Sequence, residues 1–382
     1  RNKRITVYLV SLVGLVLGIV GIYQINISGS LIEDMPKNAP FFKDIQFYDQ
    51  SFNGIVPMEI WVDSKRKNGI IKPATLKRMD RLQNTISEIP ELAPPLSIVN
   101  AVKFVKQAYY NGNPNYYNLP TAQENRFILP YVNNNKVKNP LLDSYVDSTG
   151  QLGRITTYLK DVPTQKMEVI QTDLLEAIEK IFPKDRYQVN ITGKAVLFLK
   201  GTKYLINNLF LSLSLAILLI ALFMAFLFRS FKMIVISLIP NLLPLIITAG
   251  VMGFSGIPLK PSTILVFSVA FGISVDDTIH FLAKYRQELI SNGWRIRAAV
   301  FAALRETGIS MLYTSIVLFF GFSVFLSSNF GGTRALGGLV SVTLLMAMLA
   351  NLILLPSLLI SLEDAVSNEK VIKPSKINIL DP

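Results

Sequence analysis

The chain has 382 residues, of which 51% are hydrophobic and only 17% charged, and its formal net charge is +12. This composition is too apolar for an average soluble protein, and the lack of cysteine excludes disulfide bonds and cysteine-based zinc sites. Because an excess of Lys and Arg in a membrane protein usually lies in cytoplasmic loops, the positive charge does not indicate nucleic-acid binding, and no nucleic-acid partner is expected.

Six apolar segments are each long enough to cross a hydrocarbon core of about 30 Å, which takes roughly 20 helical residues. They span residues 5–25, 204–228, 233–257, 262–282, 309–330 and 335–362. We predict a membrane helix for each, including the first, whose apolar run is long for a signal peptide and is followed by no convincing cleavage site. A long polar stretch, residues 26–203, separates the first two segments.

The polar stretch alternates the patterns of strands and helices. Apolar–polar alternation predicts strands over residues 57–63, 154–159 and 187–191, and helical spacing predicts helices over residues 73–89, 97–109 and 164–182. Two β-α-β-like passes predict a ferredoxin-like module. The predicted fold class is therefore a mainly α membrane protein, with six transmembrane helices and a ferredoxin-like α+β domain between helices one and two.

The positive residues predict the orientation of these helices. Lys and Arg cluster before the first segment, in the turn after the second and between the fourth and fifth, at Arg1, Lys3, Arg4, Arg229, Lys232, Lys284, Arg286, Arg295, Arg297 and Arg305. These places share one side of an alternating topology, which is predicted to be cytoplasmic. The polar domain is then periplasmic, and the chain is predicted to be a multi-pass protein of the bacterial inner membrane. Residues 204–362 form a five-helix bundle, and residues 363–382 a cytoplasmic tail.

The connection between the fourth and fifth segments has a pattern of its own. Apolar residues alternate with arginines over residues 285–307, and Trp294 lies near the middle. This pattern predicts an amphipathic helix in the cytoplasmic interface, with Trp294 at the level of the lipid headgroups.

Two adjacent carboxylates, Asp276 and Asp277, interrupt the fourth apolar segment, and the single histidine of the chain, His280, follows them. A charge at the centre of a membrane helix costs about 2.5–3.5 kcal/mol, so these groups are expected to face protein, water or each other. His280 is one helical turn from both carboxylates. The three residues are predicted to form a proton relay, with protons as the coupling ion and no other cofactor. A static buried network that only fixes helix packing is the alternative.

Other polar and special residues of the bundle are candidates to support this relay. Hydroxyl and amide groups on the fifth and sixth segments are candidate hydrogen-bond partners of the carboxylates, and are Tyr313, Thr314, Ser315 and Asn351. Gly272, one turn before Asp276, leaves room for a neighbouring helix, and Pro240 and Pro244 predict an interruption or kink in the third helix. A metal site is not expected, because one His and two adjacent Asp on one helix lack a converging second set of ligands.

Residues 272–281, GISVDDTIHF, resemble the G-x-x-x-D-[DY] motif of the resistance–nodulation–division (RND) transporter superfamily. Residues 239–244, 305–315 and 330–332 are similar to further stretches of its MMPL/Patched-like bacterial exporter branch. The resemblance implies a secondary active transporter, not an enzyme, in which Asp276 and Asp277 relay protons and a porter domain occupies residues 26–203. The implied cargo is hydrophobic or lipid-like, exported across or from the inner membrane by proton antiport.

One departure from the family pattern bears on the partners. Family members usually carry two such halves, and this sequence has one and begins at Arg1. The resemblance therefore implies the C-terminal half of a full transporter, whose partner is the N-terminal half, or else a half-size protein that pairs with a second protomer. Membrane lipids and periplasmic accessory proteins are further expected partners. The alternative function is that of a lipid sensor resembling sterol-sensing domains, or a scaffold subunit of an envelope complex, neither of which transports.

Overall fold

The computed structural model describes residues 4–27, 32, 34–127 and 144–361. The chain divides into two compact units. Arg1–Ser28 and Lys203–Pro382 form the first, which we call the membrane unit, and Gly29–Thr202 forms the second, which we call the polar domain. The predicted cytoplasmic tail, residues 363–382, lies outside the described residues.

The described part of the chain is mainly helical, as predicted. Its α-helices with defined bounds are α1 (Arg4–Ile22), α2 (Pro40–Ser51), α3 (Pro73–Ser87), α4 (Ile98–Tyr109), α5 (Thr164–Ile181), α6 (Lys194–Phe228), α7 (Phe231–Phe254), α8 (Pro261–Ser291), α9 (Ile296–Ser323), α10 (Gly331–Leu349) and α11 (Leu355–Ser361). A π-helical segment, Ala350–Leu354, joins α10 to α11. The strands are β1 (Val56–Asp63), β2 (Leu152–Leu159) and β3 (Gln188–Thr192).

Six helical stretches of the described residues are long and apolar enough to cross a membrane, which confirms the six predicted spans. They are α1, α6, α7, α8, the stretch Ile296–Ser327 that begins with α9, and the stretch Gly331–Ser361 that contains α10 and α11. Their ends differ from the prediction, because the helices continue into flanking residues of lower hydropathy. The 35 residues of α6, for example, extend over about 52 Å.

The predicted interfacial helix over residues 285–307 is wrong. Instead, α8 continues to Ser291, the chain turns, and α9 begins at Ile296. Gly293 and Trp294 adopt φ values of 60° and 64° in this turn. Ile296 and Val300 of the pattern are buried against other helices of the membrane unit, and Leu304 packs against the same core, so this stretch is part of the helix bundle.

Glycines bring α1 and α7 into backbone contact. Gly18 and Gly21 of α1 face Gly250 and Gly253 of α7, and a Cβ atom built on Gly250 would lie 2.5 Å from Gly18 Cα. Such small residues let helices approach closely in a membrane, where apolar burial alone provides no driving force. The sequence analysis assigned close packing to Gly272 and missed these four.

Pro240 and Pro244 do not interrupt the third membrane helix, because α7 is continuous from Phe231 to Phe254, and a kink there stays a prediction. Both prolines are buried among the neighbouring helices. Asn241, which lies between them, donates its Nδ2 hydrogen to the Ser237 carbonyl at 2.9 Å.

The polar domain is built on a three-stranded sheet with the order β2-β1-β3. Both outer strands run antiparallel to β1, with Ile60 opposite Ile155 and Ile191. The strands β2 and β3 are therefore parallel to each other, and α5 connects them. The predicted strands and helices are confirmed, α2 was missed, and the ferredoxin-like fold with two such passes is not confirmed, since the described residues contain one.

A buried ion pair attaches the segment after α4 to that helix. Glu124 accepts hydrogen bonds from the Thr121 backbone N–H at 2.8 Å, from Lys106 Nζ at 2.9 Å and from the Tyr110 hydroxyl at 2.9 Å. The Lys106 side chain is only 5% exposed. These donors, the Thr121 N–H foremost, lower the pKa of Glu124 to about 2.

Candidate functional site

The predicted relay residues lie on two faces of α8. Asp276 and His280 are on the outer surface of the membrane unit, and both side chains are 72% exposed. His280 Nε2 lies 3.4 Å from Asp276 Oδ1, across one helical turn. Asp277 is turned further inward and is partly buried. The structure therefore brings Asp276 and His280 into contact, with Asp277 beside them.

Ser315 is the residue of α9 that reaches the carboxylates. Its Oγ lies 3.5 Å from Asp277 Oδ2, which is a long hydrogen bond between α9 and α8. Thr314 instead donates to the Ser310 carbonyl of its own helix at 2.5 Å. Tyr313 is 66% exposed and faces away from the helices of the membrane unit. Of these three predicted partners, the structure places Ser315 next to the relay.

Small and polar residues continue along the outer surface of α8 on both sides of Asp276. We call this set the polar stripe, and its exposed members are Ser268, Gly272, Asp276, His280, Ala283 and Gln287. A Cβ atom on Gly272 would meet nothing within 4 Å, so no described helix packs closely against it. The polar stripe is thus an uncovered surface of this unit.

The opposite face of α8 carries a buried network of neutral side chains. Ser274 Oγ donates to Asn241 Oδ1 of α7 at 2.8 Å. Thr278 Oγ1 lies 2.9 Å from Asn241 Oδ1 and 2.8 Å from Asn351 Oδ1, the latter in the π-helical segment. Asn351 Nδ2 in turn donates to the Ser274 carbonyl at 3.3 Å. All four side chains are at most 1% exposed.

This buried network changes the role of Asn351. The sequence analysis placed it beside the aspartates, but its described contacts are with Ser274 and Thr278 on the face away from the polar stripe. Ser274 and Thr278 were missed, although their four-residue spacing around the Asp pair predicts one shared helical face. The network joins α7, α8 and the π-helical segment, a type of segment that frequently occurs at functional sites.

An ion-pair cluster closes one end of α8. Lys284 Nζ lies 3.1 Å from Glu288 in its own helix and 2.6 Å from Glu306 Oε2 in α9. The charge of Lys284 is thus compensated by two carboxylates of the same unit. Across the part of the chain that the structure describes, no group of three or more His, Cys, Asp or Glu side chains is placed to hold a metal ion.

Comparison with known proteins agrees with the motif in α8. A sequence model of the MMPL family matches residues 34–376. A protein of Methanocaldococcus jannaschii is 22% identical over 337 residues, which cover 85% of this chain and 82% of that protein. Its name says only that it is expected to be a membrane protein. These matches confirm the resemblance drawn from residues 272–281.

Proposed function

The chain belongs to the MMPL family of membrane transporters for lipid-like substrates, and on that premise we propose that it exports hydrophobic or lipid-like molecules from the inner membrane. The driving force is the proton-motive force, and Asp276 and Asp277 are the groups that bind and release the proton. The polar domain lies in the periplasm, where it receives the cargo and meets any accessory protein. The protein is a secondary active transporter and not an enzyme.

The observation that carries this proposal is the exposure of Asp276 and His280 on a membrane-spanning helix. In contact with hydrocarbon, each charge would cost about 2.5–3.5 kcal/mol. The polar stripe around them is made of small and polar side chains, which suit contact with protein or water more than with lipid. A second six-helix bundle therefore covers this surface in the working transporter. It is either the N-terminal half of the same transporter or a second copy of this chain.

The two faces of α8 couple proton binding to movement of the six-helix bundle. Protonation of Asp276 or Asp277 removes charge from the covered polar stripe and changes the contact between the two bundles. The membrane potential contributes about 2.3 kcal/mol per charge per 100 mV to this step. The buried network on the other face holds α8 to α7 and to the π-helical segment. The bundle therefore rocks as a unit against its partner, as transporter repeats do.

The test is gradient-driven transport of a fluorescent phospholipid in proteoliposomes, with the wild type compared with Asp276→Asn and Asp277→Asn. Each Asn variant keeps the side-chain shape and removes the titrating group, so flux is expected to fall to the level of empty vesicles. Asp173→Asn in α5, an exposed carboxylate of the polar domain, is the matched control and is expected to transport normally. Full flux in both relay variants would refute the relay.

The alternative is a lipid sensor or scaffold, and the same experiment separates it from a transporter. A sensor would bind the fluorescent lipid without moving it along a proton gradient. Its binding would also tolerate both Asn substitutions. Lipid binding that tolerates both substitutions, without gradient-driven flux, would indicate a sensor or scaffold in place of a transporter. Flux that stops when the proton gradient is collapsed would support the transport proposal.

A further inference from the structure

A groove with two arginines lies in the membrane unit, away from the relay. It has a volume of about 460 Å³ and is formed by α1, α9, the π-helical segment and α11. We call it the arginine groove, and the residues that line it include Arg4, Val7, Arg297, Phe301, Ile353 and Ser357. Neither relay carboxylate is among them, so the groove needs a separate explanation.

The polar part of the arginine groove is positively charged. Arg4 at the start of α1 and Arg297 at the start of α9 both line it, and the described residues of its lining include no Asp or Glu. A guanidinium carries five N–H donors, so Arg297 can keep the polar interaction that it already makes within the chain and still donate to another oxygen. Two guanidinium groups match the charge and geometry of a phosphate.

The Tyr8 hydroxyl forms a second group of polar contacts beside the groove. Its hydroxyl donates to the Ser357 carbonyl at 2.8 Å and lies 2.6 Å from Ser361 Oγ. Ser357 itself lines the groove. These contacts join α1 to α11 next to the arginines, as expected for a tyrosine at the membrane–water boundary. The polar end of the groove is therefore held in place by the protein itself.

The rest of the groove is lined by apolar side chains. Phe301 is 62% exposed and Ile353 is 47% exposed, and both line the groove on membrane-spanning stretches. A free inorganic anion would make no use of such a wall. An amphiphile with a negative head and an apolar chain uses the arginines and the wall together. Basic pockets between membrane helices on the cytoplasmic side are known to hold anionic lipid headgroups.

We propose that the arginine groove binds an anionic phospholipid, with its phosphate between Arg4 and Arg297 and an acyl chain along Phe301 and Ile353. The bound lipid connects the first helix of the unit to α9 and α11. Zwitterionic lipids bind more weakly, because their cationic headgroup is repelled by the two guanidinium groups. This site is independent of the proton relay and of transport, and its function is to hold lipid as part of the folded bundle.

The test is native mass spectrometry of the full chain in detergent with dioleoyl phosphatidylglycerol, and with phosphatidylcholine of the same acyl chains. The double variant Arg4→Gln/Arg297→Gln is expected to bind phosphatidylglycerol about 25-fold more weakly, about fivefold for each arginine. Its affinity for phosphatidylcholine is expected to change little, because the lost attraction to the phosphate is offset by the lost repulsion of the choline group. Arg305→Gln, an exposed arginine of the same helix outside the groove, is the control with an equal change in charge per site.

Further measurements separate a lipid site from a free-anion site and from misfolding. Glycerol 3-phosphate has the same phosphate without acyl chains, and binding as tight as that of phosphatidylglycerol would refute a lipid site. Val7→Trp fills the groove without changing charge and is expected to displace the lipid. Arg4→Lys/Arg297→Lys keeps the charge, so part of the affinity should return. Equal phosphatidylglycerol affinity in the wild type and the double Gln variant would overturn the proposal.

Discussion

Replacing Thr278 with valine tests the buried network of the membrane unit. The Thr278 hydroxyl has one hydrogen but lies within 2.9 Å of two amide oxygens, those of Asn241 and Asn351. Valine has nearly the same shape and removes this donor. A hydrogen bond between membrane helices is worth about 0.6 kcal/mol on average and at most about 1.7 kcal/mol. A buried oxygen left without a hydrogen-bond donor adds about 1–3 kcal/mol to the loss in the free energy of unfolding.

The expected loss for Thr278→Val is therefore about 2 kcal/mol in the free energy of unfolding. Thr248→Val is the matched control, since both threonines are 0% exposed. Thr248 Oγ1 lies 2.7 Å from Thr343 Oγ1, but Thr343 keeps a second hydrogen bond, which it donates to the Leu339 carbonyl at 2.6 Å. The Thr343 hydroxyl loses the hydrogen that Thr248 donates but stays hydrogen-bonded through its own hydrogen, so the control is expected to lose only about 0.6 kcal/mol.

The assay is reversible unfolding in bicelles or mixed micelles, with helicity as the signal. Thr278→Val is expected to unfold at a clearly lower denaturant fraction than Thr248→Val. Equal losses in the two variants would show that the oxygens around Thr278 find other donors, and the reasoning about its single hydrogen would be wrong. Proton-driven flux should survive in Thr278→Val under conditions where it is folded, because the carboxylates are on the other side of α8.

Three further predictions concern other parts of the chain. The pKa of Glu124 is lowered from 4.5 to about 2, so the stability that its charge contributes is complete above pH 4.5 and is lost as pH falls toward 2. After solvent screening, this contribution to the free energy of unfolding is about 1–2 kcal/mol. Glu124→Gln should remove this part of the pH dependence of thermal unfolding. Gly250→Val pushes a side chain against Gly18 and should cost about 1–3 kcal/mol, whereas Gly321→Val, in open space on α9, should unfold like the wild type. The chain has no cysteine, so a cysteine introduced by Ser268→Cys on the polar stripe should form a disulfide-linked dimer in oxidised membranes if a second copy of the chain covers that surface. Gly321→Cys, on another helix, should stay monomeric. Monomers from both variants would indicate that the N-terminal half covers the polar stripe instead.

The sequence predicted the spans better than the surfaces that they present. About 20 apolar residues are enough to identify a membrane helix, and the count of spans is confirmed. Hydropathy does not tell which way a side chain points, so Asn351 was placed beside the aspartates although its contacts are with Ser274 and Thr278. The close approach of Gly18 to Gly250 joins helices far apart in the chain, and the G-x-x-x-G spacing of Gly14 and Gly18 was a local signal of such packing that the sequence analysis did not use.

In the polar domain too, the sequence predicted the strands better than their arrangement. Alternation along residues 57–63 and 154–159 predicted both strands, because a strand with one buried face has a period of two. Alternation does not give the order of strands, which depends on contacts between distant segments. The missed helix α2 has no buried residue, although Phe41, Ile45 and Tyr48 stand at helical spacing along it and the sequence analysis did not use that signal.

The crossing of α1 and α7 has a mechanical consequence. Where helices touch through side chains, a change of rotamer lets one slide or roll on the other, but glycine has no rotamers. At Gly18 and Gly250 the two backbones touch directly, so any sliding movement loses several atomic contacts at once, and no side chain can fill the gap. We therefore expect α1 and α7 to move together as one rigid pair when the bundle changes conformation.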